Sequence, residues 1–337
     1  MVRRLVFAGI AALLFAGCSE DRLPEIELSG PVMGTSFSIK LVDSPDTLDR
    51  DALGTSIAAR LEDIEQRFST YRPSSELSRV NATLNTDWIP VSGELCEVVE
   101  TALGYSRQTH GAFDVTVGPL VLLWGFGAEA DRSAPPDDAL VAEARSSVGY
   151  EKLQTDCAAP ALRKSLPGVN IDLSAFVKGY AVDRIADLLD AGGVDNFLVE
   201  IGGELRMRGH NAARKPWSIA IEKPEVASRV VQSVIQVTDR GMATSGDYRN
   251  FFEHDGVRYS HTIDPETGRP VTHDAAAVTV IRDTAAEADA LATALLVMGP
   301  DEGLAFAQSG DIAAYFLLRD DPDVKVQMTP GFKALVN

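Results

Sequence analysis

The side chains best suited to chemistry in this 337-residue chain are concentrated in one segment, residues 243–271. The segment combines them with glycines, a proline and few aliphatic residues, whereas a plain hairpin would alternate apolar and polar residues across a short turn. Polar groups held near bends are typical of functional loops. The sequence therefore predicts one wall of an active site here, although His261 also fits a buried structural histidine. The polar and titratable side chains of the segment are Ser245, Asp247, Tyr248, Arg249, Tyr259, His261, Asp264 and Arg269.

Two residues further along the chain offer ligands for a metal ion. Asp289 and Thr293 are four residues apart on a predicted helix, so their side chains share one face. A carboxylate beside a hydroxyl suits a hard cation such as Mg²⁺, which takes few protein oxygens together with water and phosphate. An ordinary exposed polar face has the same pattern and is the alternative.

Residues 172–180 offer groups for phosphate, because they end a predicted strand, open a predicted helix and include Lys178. Backbone N–H groups at a helix N-terminus and a lysine both bind anions. A capped helix with a solvated lysine fits the same residues equally well. Tyr71 and the aromatic run within residues 113–126 provide surface for a planar ligand, and ordinary core packing is the alternative for that run.

These groups need a scaffold, and the chain mixes strands and helices without regular βαβ alternation. Such a pattern predicts an α+β fold with largely antiparallel sheets. Residues 30–337 contain no Pro-, Gly- or Ser-rich linker, so we expect one catalytic domain there. The predicted strands are residues 30–42, 169–173, 197–201, 204–208, 217–221, 233–238, 277–281, 313–318 and 324–327. The predicted helices are residues 52–68, 93–109, 135–148, 175–189 and 284–298, with Ser92 and Thr284 as N-caps.

Charge and motifs argue against several classes of function. The formal net charge is −18, which disfavours nucleic acid or an anionic membrane surface as a partner. A phosphate ligand would then need local cations or a metal ion. The chain has no G-x-G-x-x-G after a strand, no P-loop, no H-E-x-x-H and no G-x-S-x-G. The common Rossmann, NTPase, zincin and hydrolase mechanisms therefore lack support.

Residues 1–17 are predicted to be a bacterial lipoprotein signal peptide. Arg3 and Arg4 precede a short apolar run that ends in Ala-Gly before Cys18, and in this pattern the peptidase cleaves before a cysteine that is then lipidated. The lipid would anchor the protein to the cell membrane on its periplasmic side, with residues 18–29 as a tether. A simple secretory peptide is the alternative.

Two cysteines, Cys96 and Cys157, remain after lipidation. Export permits a disulfide bond between them, but isolated cysteines are more often buried and unpaired, so the sequence disfavours the bond without excluding it. The absence of C-x-x-C argues against thioredoxin-like redox chemistry and against a zinc knuckle.

Seven blocks of the sequence, taken in order, resemble the FAD:protein FMN transferase (ApbE) family and cover nearly all of residues 30–300. Any single block is modest support, whereas the ordered set is specific. The lipoprotein signal is also typical of many members. The blocks are residues 32–35 (VMGT), 68–78 with Asn81, 113–127, 172–183, 202–204 (GGE), 243–271 and 288–294.

The resemblance implies an ApbE-like, T-fold-like α+β architecture and Mg²⁺-dependent transfer of FMN from FAD to a threonine or serine hydroxyl of a partner protein, with release of AMP. The acceptors would resemble subunits of membrane redox pumps and related exported flavoproteins. Matched by position, the residues that would bind FAD are Met33, Tyr71, Ala112, Phe113, Asp114, Asp172, Lys178 and Ile263. Those that would hold Mg²⁺ are the side chains of Asp289 and Thr293 and the main-chain carbonyl of Ala175.

Two residues are then assigned to the chemical step. Asp289 belongs to it as a metal ligand. A carboxylate bound to a cation is a poor base, because the cation stabilises its deprotonated form. His261 is the candidate base or proton relay, since an imidazole has an intrinsic pKa near neutrality. Two alternatives stay open, an FAD pyrophosphatase that gives FMN and AMP and a non-catalytic flavin-binding lipoprotein. Self-flavinylation is disfavoured because the acceptor motif Asp-Gly-x-[Ser/Thr]-x-Thr does not occur in the chain.

Overall fold

The structure is a computed structural model that describes residues 22–127, 134–225, 230–320 and 323–335. The signal peptide and Cys18 lie outside the described residues. The helices are α1 (Arg50–Phe68), α2 (Glu76–Ala82), α3 (Gly93–Gln108), α4 (Gly118–Leu123), α5 (Asp138–Ser146), α6 (Val177–Ala191), α7 (Ala285–Ser309) and α8 (Pro330–Lys333). The strands are β1 (Glu25–Val32), β2 (Thr35–Val42), β3 (Ile89–Pro90), β4 (Leu153–Asp156), β5 (Ala161–Lys164), β6 (Phe197–Ile201), β7 (Glu204–Arg208), β8 (Trp217–Glu222), β9 (Val231–Val237), β10 (Arg240–Gly246), β11 (Phe251–His254), β12 (Val257–Ser260), β13 (Ile263–Asp264), β14 (Arg269–Pro270), β15 (Ala275–Arg282), β16 (Ala313–Asp320) and β17 (Asp323–Met328).

The centre of the fold is an eight-stranded sheet in the order β1-β2-β6-β7-β10-β15-β16-β17. Every neighbouring pair in this sheet is antiparallel. Smaller antiparallel units accompany it, among them the β8–β9 and β11–β12 pairs. The α+β fold with largely antiparallel sheets is therefore confirmed. Ser92 and Thr284 are also confirmed as N-caps, because their side chains accept hydrogen bonds from the first turns of α3 and α7.

The two faces of the sheet support separate cores, because successive residues of a strand point to opposite sides. In β10, Met242 joins the core under the β8–β9 pair, whereas the next residue, Ala243, joins the core under α7. A third and larger core joins α1, α3 and α6 to β2 and β6. Among the described helices, α7 is long and apolar enough to cross a membrane, but more than half of its most apolar window is buried inside the protein. It is a core helix in this fold.

The first turns of α6 and α7 meet closely. A Cβ atom on Gly179 would overlap the backbone of Ala285, so the approach requires glycine. The carboxylate of Asp183, on α6, accepts hydrogen bonds from the backbone N–H groups of Ala285 and Ala286, each at 2.9 Å. A carboxylate in this position caps α7 and complements its dipole. Asp289, one turn further along α7, is thereby held against the start of α6.

Two predicted strands differ from the structure. Residues 30–42 form a hairpin and not one strand, because Met33 and Gly34 adopt positive φ angles of 48° and 71° at a turn between β1 and β2. Residues 169–173 form no ladder strand. The side chain of Asn81 takes the place of a neighbouring strand there, since it bonds to both the N–H and the C=O of Ile171, each at 2.8 Å.

The fold begins inside the stretch that the sequence assigned to a tether, residues 18–29. β1 starts at Glu25, which is paired with Val42 of β2. The backbone N–H of Leu23 already donates to the carbonyl of Ala212 at 2.9 Å. This stretch is polar because it forms an edge strand, in which every second residue faces solvent. The tether assignment is therefore wrong from about residue 23 onward.

A disulfide bond joins Cys96 to Cys157, with 5.6 Å between their Cα atoms, so the expectation of unpaired cysteines is wrong. Cys157 lies in the turn between β4 and β5, and β4 packs against α3, which carries Cys96. The two residues are 61 positions apart, and their proximity depends on this tertiary packing, which spacing along the chain does not reveal.

Candidate active site

The residues predicted to bind ligand, phosphate and metal come together around one cavity of about 880 Å³. The cavity lies where β6 and β10 end and β7 begins, and it is bordered by α6, α7, β8 and residues 261–263. A volume of this order accommodates a large organic ligand. The predicted site residues that line it are Tyr71, Ala112, Phe113, Asp114, Asp172, Ala175, Lys178, His261, Ile263, Asp289 and Thr293.

Lys178 is paired with a carboxylate inside this cavity. Its ammonium group forms an ion pair with Glu204, at the start of β7. Burial lowers the pKa of the lysine, but the carboxylates of Glu204 and Asp289 outweigh that effect, so the pKa of Lys178 is raised and the side chain stays charged. Sequence reasoning missed Glu204 as a site residue, and its place directly after the two glycines of the matched GGE block was the signal for it.

Asp289 is a buried carboxylate whose negative charge is only partly neutralised. It is 3% exposed and accepts one hydrogen bond from the backbone N–H of Gly179, at 3.2 Å. Burial raises the pKa of Asp289 to about 7, with Glu204 and Asp183 adding to the rise, while Lys178 and the Gly179 N–H offset part of it. Deprotonation at neutral pH would therefore be favoured by a further positive charge nearby.

The oxygen atoms around Asp289 are of the type that binds a hard divalent cation. The hydroxyl of Thr293, one turn further along α7, lies 2.9 Å from that of Ser245, and Ala175 lines the same cavity. One oxygen of Glu204 is buried with no hydrogen-bond partner among the residues described. The described part of the chain contains no cluster of three or more His, Cys, Asp or Glu side chains that could hold a metal. A cation here would depend on a few protein oxygens plus water and phosphate, as Mg²⁺ does.

His261 is held in a neutral form with one basic nitrogen. Its Nδ1 lies 3.1 Å from the backbone carbonyl of Asn250. Because a carbonyl only accepts, the hydrogen-bond network assigns the proton to Nδ1 and leaves Nε2 as the basic nitrogen. Burial lowers the pKa of the imidazole and Lys178 lowers it further, whereas the Asn250 carbonyl and Asp247 raise it in part. The form that accepts a proton is therefore favoured at neutral pH.

The predicted flavin contacts give the cavity an aromatic and apolar side. Tyr71 is 62% exposed, and its hydroxyl donates to the carbonyl of Phe126 at 3.4 Å. Phe113 and Ile263 are buried in the same wall. An exposed aromatic ring beside buried apolar side chains provides a stacking surface for a planar ring system.

Two predicted ligand contacts accept hydrogen bonds from the backbone of the protein. Asp114 accepts from the backbone N–H groups of Thr116, at 2.7 Å, and Tyr150, at 2.9 Å, and burial raises its pKa. Asp172 accepts from the backbone N–H of Ser174 at 2.8 Å. Both carboxylates therefore fix the loops that form the wall of the cavity.

Met33 is the predicted flavin contact that does not line the cavity. Its backbone N–H donates to one carboxylate oxygen of Glu65, at 2.8 Å. The other oxygen of Glu65 pairs with Arg72 at 2.5 Å, next to Tyr71 in the chain. The β1–β2 turn is therefore tied to the loop that carries the exposed tyrosine, and Met33 is connected to the cavity through that loop.

The antiparallel sheet and the large cavity beside the closely packed N-termini of α6 and α7 define an α+β protein with a candidate site for an organic ligand. The sequence model of the ApbE family matches residues 33–316. The chain is 43% identical over 336 residues to the FAD:protein FMN transferase of Vibrio cholerae serotype O1, with 100% of each chain covered. It is 37% identical over 337 residues to that of Escherichia coli K12, covering 97% of this chain and 95% of the other. The chain belongs to the ApbE family.

Solved structures of relatives have the same fold. The flavin transferase ApbE from Vibrio cholerae superposes with a TM-score of 0.86 at 43% identity, covering 93% of this chain and 99% of that one. The apo form of the flavinyl transferase ApbE from Pseudomonas stutzeri superposes with a TM-score of 0.86 at 38% identity, covering 94% of this chain and 98% of that one. The expected ApbE-like architecture is therefore confirmed.

Proposed function

We propose that the protein transfers FMN from FAD to a threonine or serine hydroxyl of a partner protein and releases AMP. Family membership and relatives named FAD:protein FMN transferase support the donor and the transferred group. In the reaction, the hydroxyl oxygen bonds to the FMN-side phosphorus while the pyrophosphate bond to AMP breaks. The observation that carries the proposal is a single cavity that contains a neutral His261, a charged Lys178 and Asp289, whose negative charge is only partly neutralised by its neighbours.

The cavity can supply what phosphoryl transfer needs, which is mainly positioning and charge neutralisation. Bound by Asp289, Thr293 and the main-chain carbonyl of Ala175, Mg²⁺ would neutralise the pyrophosphate and the departing AMP phosphate. Lys178 keeps a second positive charge beside the same acids. Nε2 of His261 would accept the proton that the attacking hydroxyl loses.

The products distinguish this function from its alternatives. The full-length protein in detergent is incubated with FAD, Mg²⁺ and candidate exported redox subunits, and the gel is scanned for flavin fluorescence after denaturation. Covalent flavin on a partner is the expected result. Free FMN and AMP in the absence of any partner would identify a pyrophosphatase, and intact FAD after long incubation would identify a binding protein. Either of those two results would contradict the proposed transfer.

The role of His261 is tested by single-turnover transfer at saturating FAD and Mg²⁺. Loss of a general base costs roughly 10²–10⁴-fold in rate, so His261→Ala should slow the step by that order. His254→Ala is the matched control, because this histidine lies in β11 and does not line the cavity. A normal rate for His261→Ala would show that another group accepts the proton.

We further propose that the mature protein begins at Cys18 and is held by lipid on the periplasmic side of the cell membrane. The support is the sequence of residues 1–18, with two arginines, an apolar run and a small-residue site before the cysteine. Mass spectrometry of the membrane fraction should show an acylated N-terminal cysteine. Cys18→Ser should release the protein into the soluble fraction, and an unchanged distribution would contradict lipidation.

A further inference from the structure

The wall of the cavity contains a strand edge that has no partner strand among the described residues. Residues 218–222, in β8, form the longest unbroken run of residues that lines the cavity. Successive side chains of a strand point to opposite faces, so an unbroken run means that the backbone edge of β8 is turned toward the cavity. Within the part of the chain that the structure describes, β8 pairs with β9 alone. Among the described residues, the backbone groups of residues 218–221 bond to no element other than β9.

This edge is suited to an extended peptide. Every second residue of an antiparallel strand points its N–H and C=O away from its partner, so the free edge of β8 presents unpaired donors and acceptors. Strand edges are commonly blocked by proline, lysine or a bulge. β8 contains neither residue type, and its one register irregularity lies at its end, between Ile221 and Glu222. The exposed side chains along it, Ser218 and Ala220, are small.

The edge also leads to the candidate base. Glu222, the last residue of β8, forms an ion pair with Arg249. The next residue in the chain, Asn250, holds Nδ1 of His261. No residue assigned above to FAD or to Mg²⁺ lies in β8, so this side of the cavity is left for the second substrate.

We propose that an extended segment of the acceptor protein binds as an additional strand on the free edge of β8 and so brings its hydroxyl group to His261. The inference rests on the proposed transfer to a protein hydroxyl. Main-chain hydrogen bonds supply the affinity in this mode of recognition, and side chains contribute only at alternate positions. The enzyme would therefore require an extended segment around the hydroxyl residue and would recognise its side chains at alternate positions.

The first test removes the backbone donors of the acceptor one at a time. The probe is a synthetic ten-residue peptide around the threonine of a flavoprotein that the full-length enzyme labels, made with a single N-methylated amide at each position in turn. Methylation at alternate positions should lower kcat/KM by about tenfold or more, because each methyl group removes one hydrogen bond and introduces a steric clash. The intervening positions are the matched controls and should change little. Effects without this two-residue period would overturn the proposal.

The second test measures amide hydrogen exchange in the enzyme, with the same peptide in which valine replaces the reacting threonine. Slower exchange in residues 218–222 on addition of this peptide is expected. Protection of these residues by FAD alone, or by self-association of the enzyme without peptide, would overturn the proposal, as would protection confined to β1 or β17. Absence of covalent flavin on every candidate acceptor protein is a different result, and it would contradict the proposed transfer itself.

Discussion

Replacing Asp289 by asparagine should stabilise the metal-free protein most at pH 8, less at pH 5 and little below about pH 4. The carboxyl has a pKa of about 7 in the folded protein, against an ordinary value of 3.8, so the folded state binds its proton more tightly than the unfolded state does. Its contribution to stability is therefore complete below about pH 4 and is lost as the pH rises through 7. Asparagine keeps the shape and can still accept the Gly179 hydrogen bond without a charge.

The size of the effect follows from the same pKa. A rise from 3.8 to about 7 corresponds to about 4 kcal/mol, at about 1.4 kcal/mol for each pH unit. Relaxation around Lys178 reduces the cost, so we expect Asp289→Asn to gain about 2–4 kcal/mol in the free energy of unfolding at pH 8. Added Mg²⁺ should narrow this difference. At one hundred times its Kd it would add about 2.7 kcal/mol to the wild-type protein and almost nothing to the variant.

The assay is urea unfolding followed by tryptophan fluorescence at pH 5, 6.5 and 8, with EDTA or with Mg²⁺. Asp301→Asn is the matched control, because Asp301 is exposed and lies in α7 beyond the kink at Gly299, and it should change stability by less than about 0.5 kcal/mol. Equal stabilisation by Asp289→Asn at pH 5 and pH 8 would refute the assignment of a buried, raised-pKa carboxyl. Equal stabilisation of both proteins by Mg²⁺ would refute Asp289 as a metal ligand.

Other perturbations test separate parts of the structure. Reduction of the Cys96–Cys157 bond, which closes a loop of 61 residues, should lower the free energy of unfolding by about 4 kcal/mol, and an unchanged urea midpoint with reductant would contradict this. The lowered pKa of His261 predicts that the single-turnover rate falls only below pH 6.5, and that His261→Ala lacks this acidic limb. Gly179→Ala should cost about 1–3 kcal/mol and impair transfer, because the new Cβ overlaps the backbone of α7. Gly54→Ala in α1, where a Cβ meets nothing within 4 Å, should by contrast be neutral or stabilising.

Much of the local structure could be predicted from the sequence, because its signals are local. The Ser92 hydroxyl caps α3 within four residues, and the strands on either side of Gly202 and Gly203 pair as expected, with both glycines at positive φ. Most residues that line the polar side of the cavity could also be predicted, because they lie in the matched blocks, whereas Ser36, Glu200, Ser218 and Glu222 lie outside them.

The pairings between distant residues could not be predicted in this way. Asp183 caps a helix whose first residue is 102 positions away, and Lys178 meets Glu204 at a separation of 26. The Asp183 contact depends on how closely α6 and α7 approach, which the missing side chain at Gly179 permits, and the Lys178 contact depends on the packing of α6 beside β7. The raised pKa of Asp289 is a result of that approach, so a sequence can suggest a metal-binding carboxylate but cannot show how little of its charge is neutralised.

The bond between Cys96 and Cys157 makes a covalent ring of the chain that carries residues 112–114 and most of the aromatic run. Such a ring closes in oxidising compartments and stays open in the cytosol. In an enzyme exported as proposed, one wall of the FAD cavity would therefore reach its final rigidity only after secretion. A newly made chain still in the cytosol would lack this cross-link.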